Sequence, residues 1–203
     1  MNRKFYISAI LTSILGIILI LGSLIIGKNE CFLLLNTDLG RTGDFIFQYA
    51  TYLGDGVIWV PVSVLVLLYK RDNWILLLSS IIISTAIVNI CKHLFFAGTP
   101  RPFTAITDHA KIHTVPGVDI HSFDSFPSGH TTTAFTIYLL GALLIGNRAW
   151  LIIGFLLALA AGYSRVYLAQ HFPLDVGAGM ITAIIAVVLS YYLQKRFKLK
   201  IED

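Results

Sequence analysis

The amino-acid sequence predicts an all-α integral membrane protein, a bundle of six transmembrane helices with one amphipathic helix at the interface. Hydrophobic residues make up 56% of the chain and charged residues 13%, and the mean hydropathy is +0.78. Soluble domains average about 45–50% apolar and about 25% charged residues. A chain with so little polar surface is expected to have a lipid bilayer as its solvent.

The first apolar segment, Phe5–Ile26, follows three polar residues near the amino terminus. It is long enough to cross about 30 Å of hydrocarbon as a helix, whereas a signal-peptide core spans about 7–15 residues and precedes a cleavage site. We therefore expect a retained span. Five more apolar segments, each bounded by polar or charged residues, are predicted spans: Tyr52–Tyr69, Trp74–Phe96, Thr131–Gly146, Ala149–Tyr167 and Leu174–Gln194.

Two further segments complete the layout. Asp38–Leu53 is amphipathic rather than uniformly apolar, and this pattern favours a helix lying along the membrane interface. Gly98–Phe126 is the extended polar segment of the chain and forms the loop between the third and fourth spans. Because no repeat or low-complexity tract is evident, residues 1–203 are predicted to form a single membrane-embedded domain.

The lysines and arginines of short loops predict the orientation, because they are more frequent on the cytoplasmic side. With the amino terminus inside, the cytoplasmic side receives Arg3, Lys4, Lys70, Arg71, Arg148, Lys195, Arg196, Lys198 and Lys200. The opposite side receives Lys28, Arg41, Lys92, Arg101, Lys111 and Arg165. This bias predicts that both termini are cytoplasmic. The outer cations run against the rule, so three of them, Lys92, Arg101 and Arg165, are expected to serve another purpose.

Several classes of function find no support in the sequence. The net charge is +4, but no basic run with interleaved aromatic residues indicates nucleic-acid binding. Cys31 and Cys91 do not have the spacing of a metal site, and the sequence leaves open whether they pair. The histidines and aspartates of the loop, Asp108, His109, His113, Asp119, His121 and Asp124, are expected to be solvated, so we predict no metal there.

Three short stretches are predicted to meet at the outer face: residues 92–102, Phe126–His130 and Ser164–Asp175. The cations Lys92, Arg101 and Arg165 lie in the first and third of them. Arginine binds phosphate oxygens in a bidentate manner. Ser128 and Gly129 lie where the fourth helix should begin, and free backbone N–H groups at such an end favour an anion. The arrangement predicts a phosphate-binding site.

Two histidines and one aspartate add reactive groups to this site. His171 and Asp175 are four residues apart, with Pro173 suited to a first helical turn between them. A carboxylate there would accept the Nδ1 proton of His171 and leave Nε2 free to attack phosphorus. His130, across the site, is placed to protonate a leaving alkoxide. These groups suffice for phosphoryl transfer without metal.

The three stretches resemble the type 2 phosphatidic acid phosphatase superfamily, whose signature is Lys-x6-Arg-Pro, then Pro-Ser-Gly-His, then Ser-Arg-x5-His-x3-Asp. The second and third parts match residue for residue, from Pro127 to His130 and from Ser164 to Asp175. In the first part, eight residues rather than six separate Lys92 from Arg101. The two extra residues displace Lys92 by about 3 Å if helical. Its long side chain is expected to absorb that shift.

The resemblance implies a lipid phosphatase of the bacterial plasma membrane with its site facing the periplasm or exterior. It implies that His171 forms a phosphohistidine, that Asp175 orients it and that His130 protonates the leaving group. Five residues would hold the phosphate: Lys92, Arg101, Ser128, Gly129 and Arg165. It implies no cofactor and no metal. Phosphatidylglycerol phosphate, undecaprenyl diphosphate, phosphatidic acid and lipid A phosphates all remain candidate substrates, and the oligomeric state is open.

Other interpretations also remain open. The outer cations would suit an anion transporter, although transport does not need the pair of His171 and Asp175. An inactive scaffold and a vanadate-dependent haloperoxidase are the further alternatives. Asp55, between two glycines, is either a functional carboxylate or a mark of the interface. His121 and Asp124 are candidates for head-group contact. Aromatic residues near the site either guide acyl chains or form an interfacial belt: Phe95, Phe96, Phe103, Tyr167 and Phe172.

Overall fold

The structure is a computed structural model that describes residues 1–201, with side chains described through Phe197. This part of the chain is helical and contains no strand. Lys198 and Lys200, predicted at the cytoplasmic end, have side chains outside the described residues. Residues 1–201 contain the α-helices α1 Arg3–Ile26, α2 Lys28–Leu35, α3 Gly40–Ala50, α4 Trp59–Tyr69, α5 Trp74–Ile90, α6 Pro102–Ala105, α7 Gly129–Leu144, α8 Arg148–Tyr167 and α9 Pro173–Ile201.

Within the described part of the chain, four helical stretches are long and apolar enough to cross a membrane: Arg3–Ile26, Arg71–Phe95, Arg148–Tyr167 and Pro173–Phe197. The pair Gly40–Gly54 and Gly56–Tyr69, bent by 58°, would supply a fifth if counted as one span. Hydropathy predicted an unbroken span over Tyr52–Tyr69, but the chain is extended at Asp55. The regular helix α4 therefore begins only at Trp59.

Helix α7 corresponds to the predicted span Thr131–Gly146 but is only 16 residues long. It packs against α1, α5, α8 and α9, and most of its side chains are buried by these neighbours rather than facing outward. Such an enclosed helix is surrounded by protein over much of its length. Its length is therefore set by helix packing more than by the thickness of the hydrocarbon.

Helix α9 lies at the centre of the bundle, in contact with α1, α5 and α7. At its start it approaches α7 closely, because a Cβ added at Gly179 would lie 2.7 Å from the carbonyl oxygen of Ser128. Small residues allow membrane helices to approach in this way. The contact fixes the first turns of α7 and α9 against each other, and both turns carry predicted site residues.

The outer surface of the bundle is rich in large apolar side chains. Ile25 is 81% exposed, and similar residues occur along α1, α4, α5, α8 and α9, including Ile18, Leu68, Ile82, Ile152 and Leu189. Isolated apolar residues are common on soluble proteins, but a surface so continuous is what a bilayer solvates. The structure therefore supports a membrane-embedded helical protein.

Candidate active site

His171 and Asp175 form a buried pair between α8 and α9. The Nδ1 atom of His171 lies 3.4 Å from Oδ2 of Asp175, and the two residues are only 2% and 3% exposed. His171 precedes α9 rather than belonging to it, while Asp175 is the third residue of that helix. Asp175 Oδ2 also accepts the N–H of Phe172 at 2.9 Å, so the carboxylate both caps α9 and faces the imidazole.

A third side chain, which the sequence analysis missed, completes this pair. The hydroxyl of Ser125 donates a hydrogen bond to the same Asp175 Oδ2, and Ser125 is 2% exposed. Ser125 ends the polar loop two residues before Pro127 and lies 50 residues from its partner in sequence. A serine in a polar loop carries no sequence signal of such a contact. The carboxylate therefore has a donor from the loop as well as donors from the residues that directly precede its own helix.

Arg101 lies on the opposite side of His171. Its Nη1 atom is 3.5 Å from Nε2 of His171 and donates to the carbonyl oxygen of Gln170 at 3.1 Å. Its Nε donates to the carbonyl of Phe123 at 2.8 Å. Burial lowers the pKa of the Arg101 guanidinium, and the carboxylates of Asp175 and Asp124 oppose this shift. The cation is thus held rigidly beside the free nitrogen of His171.

Arg165, near the end of α8, is 6% exposed. Its Nη1 donates a hydrogen bond to Oγ1 of Thr51, which belongs to the turn after α3. Its Nε has no hydrogen-bond partner among the described residues. Buried N–H groups are nearly always paired, so this donor is expected to bind an acceptor that enters the site. The guanidinium is therefore available to an anion.

Ser128 and Gly129 begin α7 as predicted. The Ser128 hydroxyl accepts the hydroxyl proton of Thr131 at 2.9 Å and caps the helix. The Ser128 N–H donates to the carbonyl of Asp175 at 3.0 Å, which joins the starts of α7 and α9. The N–H groups of Gly129 and His130 have no acceptor among the described residues. The first turn of α7 thus offers two N–H groups and the positive end of a helix.

Lys92 and His130 line one cavity of about 280 Å³ between α5 and α7, with Trp59 at its side. Lys92 lies in a π-helical turn, Cys91–Phe95, that continues α5. Such a turn is wider than an α-helical one and takes up an additional residue. Lys92 is close enough to Arg101 and to Asp175 for charge interactions with both. The longer interval before Arg101 therefore does not remove Lys92 from the cluster.

The electrostatics of the site favour a neutral His171. Burial lowers the pKa of His171 well below its ordinary value of 6.5, and the positive charges of Arg101 and Arg165 lower it further. The neutral ring has one N–H and one lone pair. Since Nδ1 faces a carboxylate, the proton belongs on Nδ1 and the lone pair on Nε2, which faces Arg101.

The polar loop contributes unequally to the site. Burial and the charges of Arg101 and Arg165 lower the pKa of His121, so this residue lies within the field of the cation cluster. The Asp124 side chain accepts the N–H of Gly98 at 3.0 Å and so closes the base of the loop. His109 stacks on Phe103 with ring centroids 4.1 Å apart. His121 is thus the loop histidine that interacts with the site cations.

Another group of polar side chains ties the loop to α3. His113 Nε2 lies 3.0 Å from Oδ1 of Asp44, and Nδ1 lies 3.8 Å from Asp38. The hydroxyl of Tyr167 donates to Asp44 at 2.7 Å. The histidine and the two aspartates are near enough together to ligate one cation. This grouping was not predicted, because His113 is far from Asp38 and Asp44 in the sequence.

The aromatic residues predicted near the site differ in how deeply they are buried. Tyr167 and Phe172 are buried in the core, whereas Phe95 is 72% exposed and Phe96 42% exposed. The aromatic residues thus do not form one belt. Cys31 and Cys91 are both free thiols.

Comparison with known proteins gives consistent matches. A model of the PAP2 superfamily matches residues 73–199. An undecaprenyl-diphosphatase of Sulfolobus acidocaldarius is 33% identical over 189 residues, 88% of this chain and 86% of that protein. The crystal structure of Aquifex aeolicus LpxE matches with a TM-score of 0.70 and 31% identity, over 80% of this chain and 93% of that one. A transmembrane PAP2-type phosphatidylglycerolphosphate phosphatase of Bacillus subtilis shares the fold, with a TM-score of 0.62, 22% identity and 98% coverage of each chain.

Proposed function

The chain belongs to the PAP2 superfamily, and we propose that it hydrolyses a lipid phosphate or diphosphate through a phosphohistidine formed on His171. The observation that carries the proposal is the arrangement around this ring, with Asp175 at Nδ1 and Arg101 at Nε2. A lone pair directed at a cation is the geometry for attack on a bound phosphate. Because the similar undecaprenyl-diphosphatase covers most of the chain, a polyprenyl diphosphate is the first substrate to test.

The cations and the start of α7 would bind the phosphoryl group. Arg165 offers its unpaired Nε, Arg101 lies beside the attacking nitrogen, and Lys92 lines the cavity next to His130 from α5. The N–H of Gly129 and the hydroxyl of Ser128 would supply further donors. Donors fixed where negative charge develops lower the barrier without reorganisation.

The reaction would proceed in two steps. In the first, Nε2 of His171 attacks phosphorus and the bond between phosphorus and the leaving oxygen breaks, while His130 donates a proton to that oxygen. The proton stays on Nδ1 of His171, hydrogen-bonded to the ionised carboxylate of Asp175, which stabilises the positive charge that develops on the ring. In the second, neutral His130 removes a proton from water, which attacks phosphorus, breaks the bond to His171 and releases inorganic phosphate.

We propose that the membrane arrangement has six spans in a single domain, with α3 along the interface. The spans would be α1, α4 with the turns before it, α5, α7, α8 and α9. The ends that carry Lys92, His130, Arg165 and His171 then all lie on one side, opposite both termini. Counting charges in short loops favours cytoplasmic termini and a site facing the periplasm or exterior of the plasma membrane. The 58° bend between Gly40–Gly54 and Gly56–Tyr69 supports an α3 that does not continue the line of α4.

The test is release of inorganic phosphate by the detergent-purified protein from four lipids: undecaprenyl diphosphate, phosphatidic acid, phosphatidylglycerol phosphate and lipid A phosphate. His171→Ala should lower the rate by at least about 10⁴-fold, because removal of a nucleophile leaves only binding and charge stabilisation. The matched control is His109→Ala, because His109 is an exposed residue of the loop. Full activity of the nucleophile variant would exclude the proposed mechanism.

A chelator added to this assay tests for a metal requirement, and a separate uptake measurement tests for transport. Metal-independent chemistry predicts unchanged rates with a chelator present, and inhibition that a divalent ion reverses would contradict it. If the wild type releases phosphate from none of the four lipids, while uptake of phosphate into proteoliposomes requires Arg101, the transporter interpretation replaces the phosphatase.

A further inference from the structure

Asp55 lies beside His130 at the break that precedes α4. Its Oδ2 is 3.8 Å from Nε2 of His130, and the two side chains are 39% and 32% exposed. This distance is longer than a hydrogen bond but within the range of an ion pair. The interaction between the carboxylate and the ring is therefore electrostatic, and it depends on the ring being protonated.

The backbone fixes this carboxylate in place. The Asp55 Oδ1 atom accepts the N–H of Val57 at 3.0 Å and caps the short turn Gly56–Ile58, which leaves Oδ2 for His130. A Cβ added at Gly54 would lie 2.5 Å from the carbonyl oxygen of His130, so only glycine permits this approach. The segment therefore lies directly against the first turn of α7. Asp55 is held there by its own turn.

The charges around His130 explain why a carboxylate is needed. Burial of the ring and the cations Arg165, Lys92 and Arg101 act against its charged form, and the carboxylate of Asp55 favours that form. A general acid must start as the imidazolium, which three neighbouring cations oppose. Asp55 supplies the opposing negative charge on the side of the ring that carries Nε2.

We propose that Asp55 is a positioning residue that opposes the charge of these cations at His130 and orients the ring for proton donation. With the Nε2 proton directed at Asp55, His130 gives its Nδ1 proton to the leaving oxygen as the phosphorus–oxygen bond breaks and the bond to His171 forms. Asp55 stays ionised throughout, and neutral His130 regains a proton from the attacking water. This inference rests on the proposed phosphatase function.

The first test compares two leaving groups. The alkoxide of phosphatidic acid needs a proton as it leaves, whereas p-nitrophenolate departs readily as an anion. Asp55→Asn should lower kcat on phosphatidic acid by on the order of 10 to 100-fold and on p-nitrophenyl phosphate by less than about threefold. His130→Ala should show the same selectivity. Equal losses on both substrates, or no loss on either, would overturn the inference.

A double-mutant cycle gives the second readout. Because Asp55 acts through His130, adding Asp55→Asn to His130→Ala should lower kcat by less than about twofold further. Multiplicative losses would mean that Asp55 acts elsewhere in the site. The control variant is Asp72→Asn, a carboxylate in the turn at the other end of α4, which should leave kcat unchanged on both substrates.

A third variant covers loss of folding. If Asp55→Asn does not purify as a monodisperse protein, Asp55→Glu keeps the charge but moves it by one methylene. This variant should retain at least a tenth of the wild-type kcat, with the basic limb of its pH–rate profile displaced. A basic limb identical to that of the wild type would overturn the inference. Wild-type failure on both substrates, together with no phosphate release from any of the four lipids named above, would instead count against the proposed function itself.

Discussion

The two walls of the site hold their histidines very differently. On the wall formed by α8 and α9, His171 is 2% exposed, and each ring nitrogen has a charged neighbour within 3.5 Å. On the wall formed by α7 and the break before α4, the side chain of His130 is 32% exposed and its closest charged partner is 3.8 Å away. One imidazole is immobilised by its surroundings, and the other is left partly open.

The difference fits the roles proposed for the two rings. A nucleophile forms and breaks a bond to one atom, so a fixed lone pair in a dry site lowers the barrier. A group that protonates an alcohol and then deprotonates water must meet two partners in turn, which requires access from the cavity. The rigid wall should therefore be more sensitive to loss of a single hydrogen bond than the open wall.

The largest effect is expected from Asp175→Asn. An amide can donate to Nδ1, which favours the wrong tautomer and removes the lone pair from Nε2. The rate should fall by about 10³ to 10⁴-fold, well beyond the loss expected for Asp55→Asn on the open wall. Phosphate release from the best lipid substrate measures this, with Asp108→Asn on the exposed loop as the control. A loss below about tenfold would show that Asp175 does not orient the nucleophile.

An intermediate effect is expected from Ser125→Ala. The variant removes one donor to the buried Asp175 carboxylate while the bond from Phe172 remains. A hydrogen bond to a charged group contributes about 1.5–3 kcal/mol, so a fall in kcat on the order of tenfold is expected if part of this energy orients the pair. Ser125→Thr keeps a hydroxyl and should recover part of the rate. An unchanged kcat for Ser125→Ala would place this bond outside catalysis.

The smallest effect concerns acidity. Because burial lowers the pKa of His171 well below 6.5, its nucleophilic form persists as pH falls through 6.5 and is lost only when pH falls through the lowered value. An ordinary histidine would lose about fourfold in neutral fraction between pH 7.5 and 6.0, whereas His171 should lose less than about twofold. Histidine-labelled NMR, assigned with His171→Ala, measures that fraction. Half-protonation of His171 near pH 6.5 would contradict the expected effect of its burial.

Sequence motifs predicted the histidine of each wall, His171 and His130. The four-residue interval of His171 and Asp175 survives as a real contact because it straddles the first turn of α9. Family membership and an all-helical membrane fold were also predictable from the motifs and the hydropathy. These features depend on neighbours in sequence or on composition.

The remaining contacts join residues far apart in the chain. Ser125 reaches Asp175 across 50 residues, and Thr51 reaches Arg165 across 114. Both are ordinary polar residues in segments without a motif, so only the packing of the helices reveals their partners. The break at Asp55 was missed for a related reason. Hydropathy averages over a window, and one carboxylate between two glycines barely changes that average.

The hydrogen bond from Ser125 limits how the substrate specificity of such enzymes can change between relatives. The polar loop Gly98–Phe126 supplies the donor that holds Asp175 and the carbonyl of Phe123 that holds Arg101. Two groups proposed to act in turnover are therefore held by this loop, which cannot be exchanged as an independent module. A graft of this loop between relatives should preserve turnover only if its last residues are kept. Divergence would then be confined to the middle of the loop, around His113 and His121.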